Sequence, residues 1–208
     1  GTDLGQKSRA LLGERRWHLH QETTHRFWDS VASYLRSLDA CQLSIYQDGL
    51  PADGEVGRRI AQEAARRGSR NYQLVIDLLG QGAALRRTED PALLWQEQQN
   101  LLELMQEISP TRQQTATYRS RRDQLMEERD RFVADAISST LKEGEVGVLF
   151  MGAYHDVAPR LAGDISVDMV KDLDRVRAYF HLLLGQQEHG LEELAVYLSS
   201  PIVRPKSN

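Results

Sequence analysis

The sequence predicts a helix-rich α/β protein in which a parallel or mostly parallel sheet is flanked by helices and one long helix projects from the body. Three observations carry this expectation. Short apolar runs, "QLSIY" (42–46), "AALRR" (83–87), "VGVLFM" (146–151) and "ISVDMV" (165–170), alternate with segments of helical periodicity, the pattern that builds βαβ units. The run "VGVLFM" is apolar throughout, as a central parallel strand covered on both faces should be. A length of 208 residues suits one well-buried core better than two. Residues 1–208 are therefore expected to form a single domain with a helical extension around 92–131.

The elements follow in order. Phe27, Trp28, Val31, Tyr34, Leu35 and Leu38 fall at i, i+1, i+4, i+7, i+8 and i+11, which predicts an amphipathic helix over 22–38. "QLSIY" then runs into Asp48-Gly49 and Pro51, a strand entering a turn. A helix over 56–67 ends at Gly68-Ser69. Tyr72, Leu74, Val75, Leu78 and Leu79 line the next one, which stops at Gly80 and Gly82 in the manner of a glycine C-cap. After "AALRR", Asp90 suits an N-cap and Pro91 the first turn of a helix carrying Leu94, Leu101, Leu104, Met105 and Ile108 and halting near Pro110. One long helix is expected from 111 to 143. Its first half is almost wholly polar, while Phe132, Val133, Ala136, Ile137 and Leu141 give the second half a buried face. Beyond Gly144 and "VGVLFM" come a Gly-Ala-Tyr-His-Asp loop, a short helix to about Ala162, the strand 165–170, helices near 171–184 and 189–199, and a loose tail.

Lys and Arg number 26 against 30 Asp and Glu, and this formal charge of -4 lacks the basic footprint that binding nucleic acid requires. The mixed run "YRSRRDQLMEERDR" (118–131) reads first as a solvated helix face with opposite charges three or four residues apart, and second as a phosphate-facing arginine patch. The single Cys41 leaves no internal disulfide and no Cys-rich zinc site. No stretch approaches the ~18 consecutive apolar residues of a membrane span, and no signal peptide is apparent at the N-terminus. A soluble, cytoplasmic protein is the expectation.

In open parallel sheets the functional crevice lies outside the carboxyl ends of the strands. Asp48 and Gly49 follow the first predicted strand; Thr88, Glu89 and Asp90 follow the second; Gly152, Tyr154, His155 and Asp156 follow the third. Each has a plainer reading as well. Asp48-Gly49 is a turn signature, Asp90 and Asp156 suit helix caps, and a strand-end histidine can simply bond a backbone carbonyl. Gly152 favours a site, because a glycine three residues ahead of His155 lets the chain turn sharply and aim the imidazole over the sheet edge. His18 and His20, two residues apart, point from different helix faces and are unsuited to shared ligation.

Glu128-Arg129-Asp130, followed by Ala134, Ile137, Leu141 and then "GEVGVLFMGAYHDV", resembles the closing part of the TraB/Tiki group, which belongs with the erythromycin-esterase-like and ChaN-like proteins. Gly152 and His155 match that group's Gly-x-x-His loop, and Arg129 and Asp130 match its Arg-Asn or Arg-Asp helix. The likeness covers about 35 of the 208 residues. It implies a site with an earlier glycine-histidine loop, for which "GTDLG" (1–5) is the nearest counterpart. That segment keeps Gly1 and Thr2 but has no histidine, so the first strand is missing or the first ligand is absent or replaced by Asp3. The wider group includes metal-dependent peptidases, esterase-like hydrolases and a haem-binding protein.

Two functions are expected to compete. In the first, the protein is a hydrolase using a divalent metal or general acid/base chemistry. His155 serves as base or metal ligand, Glu89, Asp48 and Asp156 complete an oxygen and nitrogen set, and Arg129 stabilises a developing oxyanion. In the second, the same crevice, with Asp48, Gly49, Gly152 and Tyr154 as contacts, binds a small-molecule or peptide ligand without catalysis, and the long helix around 111–131 supports a homodimer. An HD-type phosphohydrolase is excluded because its His-Asp pair sits on a helix, whereas this pair ends a strand.

Overall fold

In a computed structural model the chain is described over residues 9–106, 111–185 and 189–203. The expected features at Gly1–Gly5, Ile108 and Pro110, and the end of the tail, lie outside them. In chain order the elements are α1 (Glu14–Arg36), β1 (Leu43–Gln47), α2 (Gly54–Arg66), α3 (Arg70–Gly80), β2 (Ala84–Arg86), α4 (Pro91–Gln106), α5 (Arg112–Thr140), β3 (Val146–Phe150), α6 (Leu173–Leu184) and α7 (Leu191–Ser199). The result is a helix-rich α/β fold, as the alternating runs predict.

The sheet has the order β2-β1-β3 and both pairings are parallel, with Ile45 opposite Leu85 on one side and Val148 on the other. Every residue of β1 is buried. Its period-two alternation divides the protein into layers. Leu43 and Ile45 face a cluster with Val31 and Leu35 of α1, Ala61 of α2, and Leu74, Val75, Leu78 and Leu79 of α3. Tyr46 faces the opposite cluster, where Val133, Ala134 and Ile137 of α5 cover the sheet. A third cluster, Tyr179, Leu183, Leu191, Ala195 and Leu198, joins α6 and α7 to the first turns of α1 through Leu19 and to Leu12 just ahead of that helix. That contact explains why α1 starts well before residue 22.

Two of the expected strands are corrected. "VGVLFM" is an edge strand and β1 is the central one; the amino half of β3 is exposed, Val146 included. Apolar residues alone did not distinguish them, since "LSIYQ" carries two polar side chains that bond inside the fold: Ser44 Oγ donates to Glu145 Oε2 at 3.1 Å, and Gln47 Oε1 accepts from Asn71 Nδ2 at 3.2 Å. Residues 165–170 form no strand. Ile165 packs partly buried on the α5 side of the sheet, but Val167, Met169 and Val170 stay exposed, so the alternation beyond Ile165 buries no face.

The long helix behaves as expected. Thr111 and Gln114 form a reciprocal capping box that starts α5, its first buried residue is Leu125, and α4 runs beside its exposed half. The helix expected up to about Ala162 is only a short 3-10 turn, Ala158–Arg160. Among the described residues no helix is long and apolar enough to cross a membrane.

Candidate functional site

The carboxyl ends of the three strands are tied together by backbone and side-chain bonds. Asp48 N donates to Phe150 O at 2.8 Å, fixing the loop after β1 to the end of β3. Thr88 N and Glu89 N donate to Leu50 O at 3.0 and 3.1 Å, and the Thr88 hydroxyl donates to Gln47 O, fixing the loop after β2 to that after β1. Gly49 makes the turn possible: it has φ +77°, in the left-handed region that favours glycine, and its amide donates to Glu89 Oε1 at 3.2 Å.

Over this rim lies the middle of α5. Leu125, Arg129, Val133 and Ile137 recur every four residues on its buried stripe, so the helix carries a guanidinium into a position that periodicity would give to an apolar side chain. Arg129 Nε donates to Glu89 Oε2 at 3.1 Å and Nη2 to Glu89 Oε1 at 2.6 Å, a two-pronged pair. Nη2 also donates to Asp48 Oδ1 at 2.7 Å, and Nη1 to Glu97 Oε2 of α4 at 2.8 Å. Glu89 is 0% exposed, whereas the Glu97 side chain is 42% exposed. Burial pushes the Glu89 carboxyl above the usual carboxylate range, against the pull of the Arg129 guanidinium. Burial also works against the charge on Arg129, but Glu89, Glu97 and Asp48 outweigh it and hold the guanidinium firmly protonated.

The next residue on α5 makes a second arrangement. Asp130 Oδ1 lies 2.5 Å from His155 Nδ1, and Asp130 Oδ2 accepts from Asp156 N at 2.7 Å. The Gly152-to-His155 turn is closed by His155 N donating to Gly152 O at 3.1 Å. No described residue bonds His155 Nε2. A side chain at Gly152 would begin 3.9 Å from both His155 Nε2 and Asp48 Oδ2, so those two atoms are at most twice 3.9 Å apart across a glycine-sized gap. A neutral imidazole held this way donates from Nδ1 to the carboxylate and carries its lone pair on Nε2.

The structure thus brings Asp48, Glu89, Arg129, Gly49, Gly152 and His155 to one rim. Tyr154 is exposed, and Asp156 donates its amide to Asp130 Oδ2 while its carboxylate accepts from Arg160 Nη1 at 3.3 Å. Among the described residues no group of three or more His, Cys, Asp or Glu side chains that could hold a metal ion is found. The expected oxyanion role of Arg129 meets a similar obstacle, because its donors are directed at three carboxylates. Asp90 acts as a cap, accepting from Ala92 N at 2.8 Å.

Two members of the rim were not assigned a role from sequence. Glu97 has no local signature. Asp130 has one: like Arg129, it is a charge on the buried stripe of an otherwise conventional helix, and buried charges are nearly always paired. No family model, characterised protein or solved structure matches the chain.

Proposed function

We propose that the protein is a general acid/base hydrolase whose base is His155. The observation that carries this reading is the Asp130–His155 pair at 2.5 Å, which leaves Nε2 without a partner among the described residues, beside Gly152. Water in that gap gives its proton to Nε2 as its oxygen attacks an electrophilic carbonyl or phosphoryl centre; Asp130 stabilises the imidazolium, which then protonates the leaving group. Asp48 Oδ2, across the gap, accepts a hydrogen bond from the water or from a substrate donor. Arg129 and Glu89 are positioning residues that fix Asp48 through its other oxygen.

A metal-assisted version finds less support in the donor set. Both oxygens of Glu89 and one of Asp48 already accept from a guanidinium, and a cation would have to displace it. The placing of a Gly-x-x-His loop after a parallel strand, with Arg-Asp on the preceding helix, supports kinship with the TraB/Tiki group.

The test is a panel of chromogenic carboxylic and phosphoric esters and a quenched peptide library, assayed with the wild type, His155→Ala and Asp130→Asn. The expected outcome is turnover of at least one class, lost about 10²- to 10⁴-fold in both variants. Equal rates in all three proteins would refute the assignment. One observation favours a second reading, a ligand-binding crevice without catalysis: with four of the five N–H donors of the Arg129 guanidinium taken by carboxylates, the rim is poor in donors for an oxyanion. Under that reading a small molecule or peptide protects the wild type thermally, and no substrate turns over.

A further inference from the structure

Helix α4 has its amphipathicity inverted. Its side toward α5 is fastened by polar groups: Glu97 to Arg129 Nη1 at 2.8 Å, Asn100 Nδ2 to Tyr118 O at 3.4 Å, and Glu103 to Arg121 Nη1 at 3.0 Å. Its apolar side faces away. Leu94, Trp95, Gln98, Leu101, Leu102 and Met105 follow the i, i+1, i+4, i+7, i+8, i+11 pattern of a single stripe. Trp95 is 62% exposed, Leu101 54%, Leu102 41% and Met105 73%, and no residue from Pro91 to Met105 is buried. A solvated helix carries such a stripe only at a cost in free energy unless something covers it.

We propose that a second copy of this chain covers it, with α4 packing antiparallel on α4 about a two-fold axis. Area and charge both point to this occupant. On side chains of about 200–250 Å² each, those exposures leave roughly 500 Å² of apolar surface open, at the upper end of the largest patch on a typical monomer. Two copies together bury roughly 1,000 Å², near the lower limit for a specific interface and the area of a weak, reversible dimer. The only charges on α4, Glu97 and Glu103, are drawn to the α5 side by Arg129 and Arg121, so the outward stripe is uncharged. Like faces therefore meet without repulsion, whereas a helix that lies on an anionic membrane needs a basic rim that α4 lacks. In the antiparallel arrangement Trp95 of each copy meets Met105 of the other, with Gln98 against Leu101 and Leu102. The long helix itself, expected from sequence to carry the dimer, presents a polar exposed half; the apolar seam is on its neighbour.

Sedimentation equilibrium of the full chain from about 1 µM to about 200 µM decides the matter. The mass should rise with concentration from 23.7 kDa toward twice that value. Trp95→Glu/Leu102→Glu should remain monomeric over the same range with an unchanged circular dichroism melt. Should that variant fail to fold, Met105→Lys, at the most exposed position of the stripe, should shift the midpoint of dimerisation at least 10-fold. A wild-type mass fixed at 23.7 kDa at the highest concentration overturns the proposal, and so does a folded double variant that still dimerises. Co-sedimentation of a purely monomeric wild type with phosphatidylcholine vesicles would overturn it in favour of a membrane face.

Discussion

Replacing Arg129 with Met isolates the forces that hold the rim together. The guanidinium makes four hydrogen bonds to three carboxylates, and two of them go to Glu89, which has no access to water. Removing one partner of a buried, hydrogen-bonded ion pair costs about 3–5 kcal/mol, because the other charge is left without compensation. The bond to the half-exposed Glu97 adds less than about 1 kcal/mol. A total near 4 kcal/mol corresponds, for a chain of this size, to a fall in Tm on the order of 10 °C. The loss should be partly undone in Arg129→Met/Glu89→Leu, since the fully buried carboxylate goes with its partner and the two left behind, Asp48 and Glu97, reach solvent. It should also shrink at acid pH. Burial raises the Glu89 carboxyl above its ordinary value of 4.5, and without Arg129 only the Gly49 amide opposes that rise, so the variant takes up a proton on folding and is destabilised as pH climbs through that window. Urea unfolding of the two variants and the wild type at pH 4.5 and pH 7.5 measures all of this. A single-variant loss below about 1 kcal/mol at pH 7.5, or a double variant less stable than the single, would show that the cluster does not organise the strand ends.

Two other outcomes are expected. Gly152→Ala places a methyl at ordinary contact distance, 3.4 Å, from His155 Cδ2 and 3.9 Å from Asp48 Oδ2; stability measured by thermal melt should change by less than about 1 kcal/mol while turnover falls at least about 10-fold, because the methyl fills the gap that the water needs. His20, whose Nδ1 lies 3.1 Å from the Tyr179 hydroxyl, is pulled below its ordinary value of 6.5 by burial. A group depressed in the folded state contributes stability that is present above the unfolded value and lost as pH falls, so unfolding free energy should drop below pH 6.5 in the wild type and drop less in His20→Phe.

Much of the architecture was legible because helical and extended periods differ and because turns are punctuated by glycine and proline. The rule that sites form outside the carboxyl ends of parallel strands was enough to nominate Asp48, Glu89 and His155 from three separate loops. Their partners were harder to read. Arg129 and Asp130 are adjacent in sequence yet serve different strand ends, Arg129 the loops after β1 and β2 and Asp130 the loop after β3, and that division depends on how α5 lies across the sheet. No local pattern encodes the crossing of a helix over a sheet. Residues 165–170 failed for a related reason: alternation is necessary for a half-buried strand, but only tertiary context supplies the face to be buried. The polar residues in β1 disguised the central strand, since Ser44 and Gln47 are satisfied by side chains on Glu145 and Asn71 that lie far along the chain.

The claim that His155 is a base held by Asp130 is tested most directly by nitrogen-15 NMR of the histidine ring in the full chain, which reports where the proton of the neutral imidazole resides. A proton on Nδ1, shared with Asp130, and a bare Nε2 are expected, with this preference lost in Asp130→Asn. A neutral ring carrying its proton on Nε2, with Nδ1 bare, would contradict it.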